Sequence, residues 1–244
     1  TGKNDAFFIV LDRLDEMLPD RITSWRHQAD KLRYSVRQRH MKVHFLSQRI
    51  EVARDLAKAV SYLHEHRIIH RDIKPANIGF QEGTLKLLDF DISRILPKET
   101  EESQLFNLTG VTGTRRYMSP ECGLHQPYNE KTDVYSFAIV LNELISLEKA
   151  FVSLSKHEHD LRVFHQGVRP CIPLSCPKHI RLMIEHAWSP DVMIRPSMRE
   201  MHEILEGELT KTPIQPSPSP TSRLRFRPFK ILKVFPPPAN LAIE

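Results

Sequence analysis

Cysteine is scarce in this chain: Cys122, Cys171 and Cys176 are the only three among 244 residues. They are too few and too scattered for a disulfide framework or a zinc site. That favours an intracellular, cytoplasmic setting and leaves the nucleus open. No apolar run is long enough to span a bilayer, so no transmembrane segment is expected. No secretory signal is visible, and the chain starts at Thr1 rather than Met, which reads as a fragment. The basic stretches lack aromatic interleaving and known motifs, so nucleic acid is not an expected partner. There is no internal repeat.

What is present is ordinary for a globular protein, with 40% hydrophobic and 27% charged residues. The length allows one large domain or two small ones, with a sizeable core. The net charge of +5 is uneven. Residues 21–49 carry eight Lys/Arg against one acid, residues 209–244 carry six against one, and the remainder is acidic.

The hydrophobic pattern divides the chain. Ala6 to Leu11 is a short apolar run that predicts a buried strand, and Asp12 to Glu16 follows as a polar linker. From Trp25 a helical pattern runs through Ala29, Leu32, Val36 and Val43 with a basic opposite face. This is either a solvated surface helix or one that meets acidic partners or membranes. Ile50, Ala53, Leu56, Ala57, Val60 and Leu63 predict a long helix ending near His66. Ile78–Phe80 and Leu85–Leu88 predict two short strands joined by a turn containing Gly83. Residues 92–117 have no sustained period and read as a long functional or mobile loop. Val134 to Leu144 is apolar on most sides and predicts a buried helix opened by Asp133. Two more helices are expected over 179–187 and 197–206, the second stopped by Gly207. The prolines beyond Leu209 predict a disordered basic tail.

The chemistry concentrates in the loop Ile69-His70-Arg71-Asp72-Ile73-Lys74-Pro75-Ala76-Asn77-Ile78. Asp72 can orient or accept a proton from an attacking hydroxyl. Lys74 can neutralise a transferring phosphate, and Asn77 can ligate a hard cation through its carbonyl oxygen. Asp89 lies beyond a hairpin able to fold it back beside Asn77. These are the parts of a metal-assisted phosphoryl transfer.

His70-Arg71-Asp72 with Lys74 and Asn77, then Asp89-Phe90, then Ser119-Pro120-Glu121, strongly resembles the protein-kinase signature set in order and spacing. The resemblance covers roughly residues 6–207 and points to the tyrosine-kinase-like branch of Ser/Thr kinases. It implies an α+β, mainly α fold: the large, C-terminal kinase lobe with short β-hairpins, the small lobe missing. It divides the chain into a partial kinase domain, 1–207, comprising hinge and large lobe, and a Pro-rich basic tail, 208–244.

The resemblance also implies roles. Asp72 and Lys74 are catalytic, and Lys74 steadies the γ-phosphate of ATP. Asn77 and Asp89 hold Mg²⁺. Leu11 is the gatekeeper, and Asp12 and Leu14 touch adenine through their backbones. His70 is a packing residue, and Arg71 receives an activation-loop phosphate or makes a plain salt bridge. Ser103, Thr109 and Thr112 are candidate phosphosites for an upstream activating kinase. Asp133 anchors the catalytic loop, and Arg195 pairs with Glu121. The implied function is transfer of the ATP γ-phosphate to Ser/Thr hydroxyls of protein substrates. The alternative is a catalytically inactive pseudokinase or scaffold that binds partners through the basic helix and tail.

This sequence departs from the family's pattern in several places. The Gly-rich loop, the strand lysine and its glutamate partner have no counterpart here. Asp91 stands where the family usually has glycine, which costs backbone freedom and adds charge near the metal ligands. Gly79 is smaller than the usual apolar residue under the adenine. His157-Glu158-His159-Asp160 puts its two imidazoles on different helix faces and reads as a solvated polar turn. Cys171 and Cys176 read as ordinary thiols. Ser217-Pro218-Ser219-Pro220 and the stretch Arg223 to Phe235 are candidate phosphosites and a candidate partner segment, against a passive tail.

Overall fold

The central element is a helix, α4 (Lys131–Ser146), buried from Thr132 to Ile145. An apolar surface on nearly every side leaves such a helix no stable place but the middle of a domain. The computed structural model describes residues 13–32, 39–97, 104–108 and 112–211. Around α4 are arranged β1 (Glu16–Met17), α1 (Leu18–Leu32), α2 (Arg39–Glu65) and β2 (Ile68–Ile69). After them come β3 (Ile78–Gln81), β4 (Thr84–Leu87), β5 (Arg94–Ile95) and α3 (Pro120–Gly123). Beyond α4 lie α5 (Lys156–His159) with a π-helical turn over Asp160–His165, then α6 (Lys178–Ala187) and α7 (Met198–Lys211).

Helices α2 and α6 pack against α4, and α7 packs along α2 and α6. Ala53, Leu56, Ala57 and Val60 of α2 are completely buried, which is the apolar face that the sequence spacing predicts. A second, smaller apolar cluster gathers Met118, Cys122, Tyr128, Val163 and Phe164. The architecture is mainly α with short strands, as the kinase-like large lobe requires.

The expected hairpin forms. Strand β3 pairs antiparallel with β4, from Ile78 opposite Leu87 to Gln81 opposite Thr84. Its turn has left-handed backbone at Glu82 (φ 49°) and Gly83 (φ 75°), the geometry whose twist matches that of the strands. The linker expected at Asp12 to Glu16 is in part a strand. Glu16 and Met17 of β1 pair with Phe80 and Gly79, and the Asp15 amide donates to the Phe80 carbonyl at 2.8 Å. Two residues are too few to show a period, so this strand carries no sequence signal. The same holds for β2, which pairs with β5 inside the stretch read as an aperiodic loop.

Three further expectations are corrected. The helix traced from Trp25 starts at Leu18, and Val43 belongs to α2 and is 44% exposed rather than part of an apolar face. The basic face is not wholly solvated. Arg26 donates to the Leu147 carbonyl at 2.7 and 2.9 Å, and buried Arg49 donates to the carbonyls of Leu144 (3.2 Å) and Ile145 (2.9 Å). Both satisfy carbonyls at the C-terminal end of α4, where cations are favoured. Burial lowers Arg49 to about 10. Helix α7 runs through Gly207 to Lys211, because Leu209 is buried and its packing outweighs the roughly 1 kcal/mol that a helical glycine costs.

His159 is also corrected. Ser155 caps α5 in a reciprocal box with Glu158, and His157 is exposed as expected of a polar turn. His159 instead turns inward, 5% exposed, between the rings of Phe151 (5.1 Å) and Phe164 (5.0 Å). Neither ring nitrogen has a hydrogen-bond partner. The spacing did put the two imidazoles on different faces, and one of those faces is core. The strand expected over Ala6 to Leu11, Val36, and the tail from residue 212 onward lie outside the described residues.

Candidate active site

The loop between β2 and β3 is held by a carboxylate 62 residues beyond Arg71 in the chain. Asp133, completely buried in the first turn of α4, accepts the His70 amide on Oδ2 and the Arg71 amide on Oδ1, both at 2.8 Å. His64 of α2 adds a contact at 3.0 Å through Nε2. The clamp is needed because Arg71 has φ 69°, a left-handed conformation that costs a non-glycine residue about 1–3 kcal/mol.

His70 is fully buried and its two ring nitrogens are both engaged. Nε2 donates to the Leu88 carbonyl at 3.0 Å, and Nδ1 accepts the Asp72 amide at 3.3 Å. Those partners fix one neutral tautomer and leave no nitrogen to take a proton from a substrate. The ring packs edge-on to Phe90 at 4.9 Å.

Asp72 follows directly, and both of its carboxylate oxygens are occupied. Oδ2 accepts from Lys74 Nζ at 2.5 Å and from Asn77 Nδ2 at 3.1 Å, and Oδ1 accepts the Thr114 amide at 2.9 Å. Burial pushes the pKa of this carboxyl up, but the bonds from Lys74 and Thr114 outweigh it and hold the pKa below the ordinary carboxylate value. Lys74 Nζ also donates to Thr114 Oγ1 at 2.9 Å. Gly113 makes this approach possible: at φ +101°, a Cβ there would stand 2.4 Å from the Arg71 carbonyl oxygen.

Asn77 ends a short 3₁₀ turn that Pro75 opens. Its side-chain amide nitrogen donates to the Asp72 carbonyl at 2.9 Å as well as to the carboxylate, which leaves the carbonyl oxygen as the atom able to meet a cation. The Leu88 amide donates to the Asn77 carbonyl at 2.9 Å, so the hairpin returns the exposed Asp89 beside Asn77. The buried Asn77 amide oxygen and the exposed Asp89 carboxylate are both hard oxygen donors, the type that an oxygen-loving divalent cation takes. Asp91 does not need glycine's freedom here. The left-handed residue of this turn is Asp89 (φ 62°), and Asp91 is absent from the positive-φ residues.

Of the adenine contacts, Leu11 and Asp12 lie outside the described residues. Leu14 is described, and its Cδ1 would be 2.5 Å from a Cβ built on Gly79. The space that a side chain at 79 would need is therefore taken by Leu14 and by Met17, whose Sδ would stand 3.1 Å from the same Cβ. Ser103 and Thr109 lie outside the described residues, and Thr112 is half-buried. Arg71 Nε donates to the Ile92 carbonyl at 2.6 Å and Nη1 to the Tyr128 hydroxyl at 2.9 Å. Sequence reasoning missed Tyr128, His64 and the Gly113 contact, none of which belongs to a contiguous pattern.

The family model described as protein kinase domain matches residues 20–206. The chain is 35% identical over 173 residues to the serine/threonine-protein kinase STY17 of Arabidopsis thaliana, covering 70% of this chain and 29% of the relative. It is 34% identical over 166 residues to the dual specificity protein kinase shkC of Dictyostelium discoideum, covering 65% and 31%. Against the serine/threonine-protein kinase Nek11 of Mus musculus it is 35% identical over 160 residues, covering 66% and 24%. The chain thus spans roughly a quarter to a third of the length of the curated relatives it matches. Among the described residues, no helix is long and apolar enough to cross a membrane.

Proposed function

The chain belongs to the protein kinase domain family, and from that premise we propose that it serves the transfer of the ATP γ-phosphate to serine and threonine hydroxyls of proteins. Kinase domains act on proteins and use ATP with a divalent metal. The observation that carries the reading is the Asp72 carboxylate, gripped on both oxygens by Lys74, Asn77 and Thr114 and backed by the Asp133 clamp.

Asp72 acts on the substrate hydroxyl. A carboxylate with a lowered pKa is ionised at neutral pH and a weak base, so it orients the O–H and takes the proton once the new phosphate ester bond is well formed. Lys74, which bridges Asp72 and Thr114, would offset phosphate charge where the hydroxyl attacks. Asn77 Oδ1 and Asp89 would hold Mg²⁺, whose charge supplies stabilisation of the phosphate oxygens. Leu14, lying over Gly79, together with Leu11 and Asp12, would contact adenine. Lys74 with Thr114 favours Ser/Thr substrates. An upstream kinase would act at Ser103, Thr109 or Thr112, and the free thiols support a cytoplasmic location.

The scaffold reading gains nothing specific, because Arg26 and Arg49 of its basic face are turned to the end of α4. The deciding experiment is phosphoryl transfer from ATP to a protein substrate by the full protein and by Asp72→Asn. Loss of about 10²- to 10⁴-fold in kcat is expected for a residue in proton transfer. Equal activity in the two would refute the role of Asp72.

A further inference from the structure

Tyr128 is completely buried in the segment that leads into α4, and three separate contacts meet on it. Its backbone pairs with Phe106, the Phe106 amide donating to the Tyr128 carbonyl at 2.9 Å and the Tyr128 amide to the Phe106 carbonyl at 3.0 Å. Its hydroxyl accepts from Arg71 Nη1 at 2.9 Å. The same hydroxyl meets the buried thiol of Cys122, whose own hydrogen points to the Thr112 carbonyl at 3.8 Å.

The donors run in one sense, from guanidinium to phenol to thiol to carbonyl. The run begins beside Asp72 and ends two residues before Thr114, whose amide bonds the Asp72 carboxylate. Between those ends Gly113 leaves room for the Arg71 carbonyl, which a Cβ there would meet at 2.4 Å. The catalytic loop and two parts of the activation segment, at Phe106 and at Thr112, are therefore tied through one residue, Phe106 by its backbone and the others by its hydroxyl.

We propose that Tyr128 is a positioning residue that makes the placement of Asp72 depend on docking of the activation segment at Phe106. The physical basis is the strained backbone of Arg71. At φ 69° this residue is held from one side by Asp133, on its amide, and from the other by its guanidinium, on Tyr128 and Ile92. Removing the phenol oxygen takes away a charge-assisted acceptor and frees the guanidinium to turn. Undocking Phe106 displaces the Tyr128 backbone and withdraws the hydroxyl in the same movement. Phosphate on the segment would enter as a competing, stronger acceptor for Arg71.

The inference rests on the kinase reading for its consequence, while its structural core can be measured without activity. The test is amide hydrogen exchange on the full protein and on Tyr128→Phe, which keeps the ring and every backbone donor and acceptor. Exchange at Phe106, Tyr128 and Thr114 is expected to accelerate by roughly tenfold or more, with Ile139 and Leu141 of α4 unchanged. In the same variant kcat is expected to fall while KM for ATP holds. Exchange that stays within about twofold at those three amides, or that rises equally in α4, would overturn the proposal. A wild-type protein without transfer activity, but with the local exchange change, would sink the kinase reading and leave the coupling standing.

Discussion

Arg195 and Glu121 face each other in a two-point ion pair, Nη1 to Oε1 at 2.6 Å and Nη2 to Oε2 at 2.8 Å, with both side chains almost fully withdrawn from solvent. Arg195 also donates to the carbonyls of Ser189 (2.9 Å) and Lys131 (3.1 Å), so it ties the segment before α7 to the start of α4. Cutting either partner leaves a charge buried and unpaired. Arg195→Met and Glu121→Gln are each expected to destabilise the domain by about 3–5 kcal/mol, measured by urea unfolding. The double variant, Arg195→Met with Glu121→Gln, should lose less than the sum. Full additivity would show that the two charges do not act as a pair.

Asp133→Asn should loosen the catalytic loop without emptying the core. An asparagine has one acceptor oxygen for two amides and presents an N–H₂ to the other. Amide exchange at His70 and Arg71 should rise by roughly tenfold or more, and transfer activity should fall with it. Protection unchanged at both amides would mean that the clamp is not what holds Arg71 at its positive φ.

Gly113→Ala tests the contact between the activation segment and the catalytic loop. Its φ of +101° disfavours any side chain, and the new Cβ would meet a backbone oxygen, which cannot swing aside. A loss of about 2 kcal/mol or more in unfolding free energy is expected, together with loss of activity. Gly83→Ala, at φ +75° with nothing within 4 Å, should cost less, because it carries backbone strain alone.

His159 gives a pH dependence. Burial first, then Arg115, Arg116 and Arg169, lower its pKa from 6.5 to about 4. The folded state keeps the ring neutral while the unfolded chain takes up a proton. Its contribution is therefore complete above about 6.5 and is lost as pH falls towards 4. His159→Phe should remove that part of the acid loss. The stability difference between variant and wild type should move in the variant's favour between pH 7 and pH 5, in about the window set by those pKa values. A difference that stays flat across the window would refute a neutral, buried His159.

Much of the site was legible because its groups are neighbours in sequence. Asp72, Lys74 and Asn77 lie within one short loop, and local geometry brings their side chains together with little help from the rest of the chain. The long helices were legible for a similar reason: a repeating apolar face is a local property that packing then uses. Strands β1, β2 and β5 were not, because two residues show no period and their pairing depends on partners far along the chain. The sequence stop at Gly207 failed because a local propensity near 1 kcal/mol was outweighed by burial of Leu209.

The sequence by itself determined which chemical groups are available for the proposed phosphoryl transfer: the carboxylates Asp72 and Asp89, the cation Lys74 and the amide Asn77. Spacing alone also ordered them around a loop and a hairpin. Tertiary structure decided what each group is held by. It placed Asp133 under the loop, Tyr128 on Arg71, Thr114 on Asp72, Arg49 at the end of a helix 95 residues away and His159 inside an aromatic box. Local pattern records a residue's neighbours along the chain. Burial and hydrogen bonding are set by neighbours in space, and for these residues the two sets scarcely overlap.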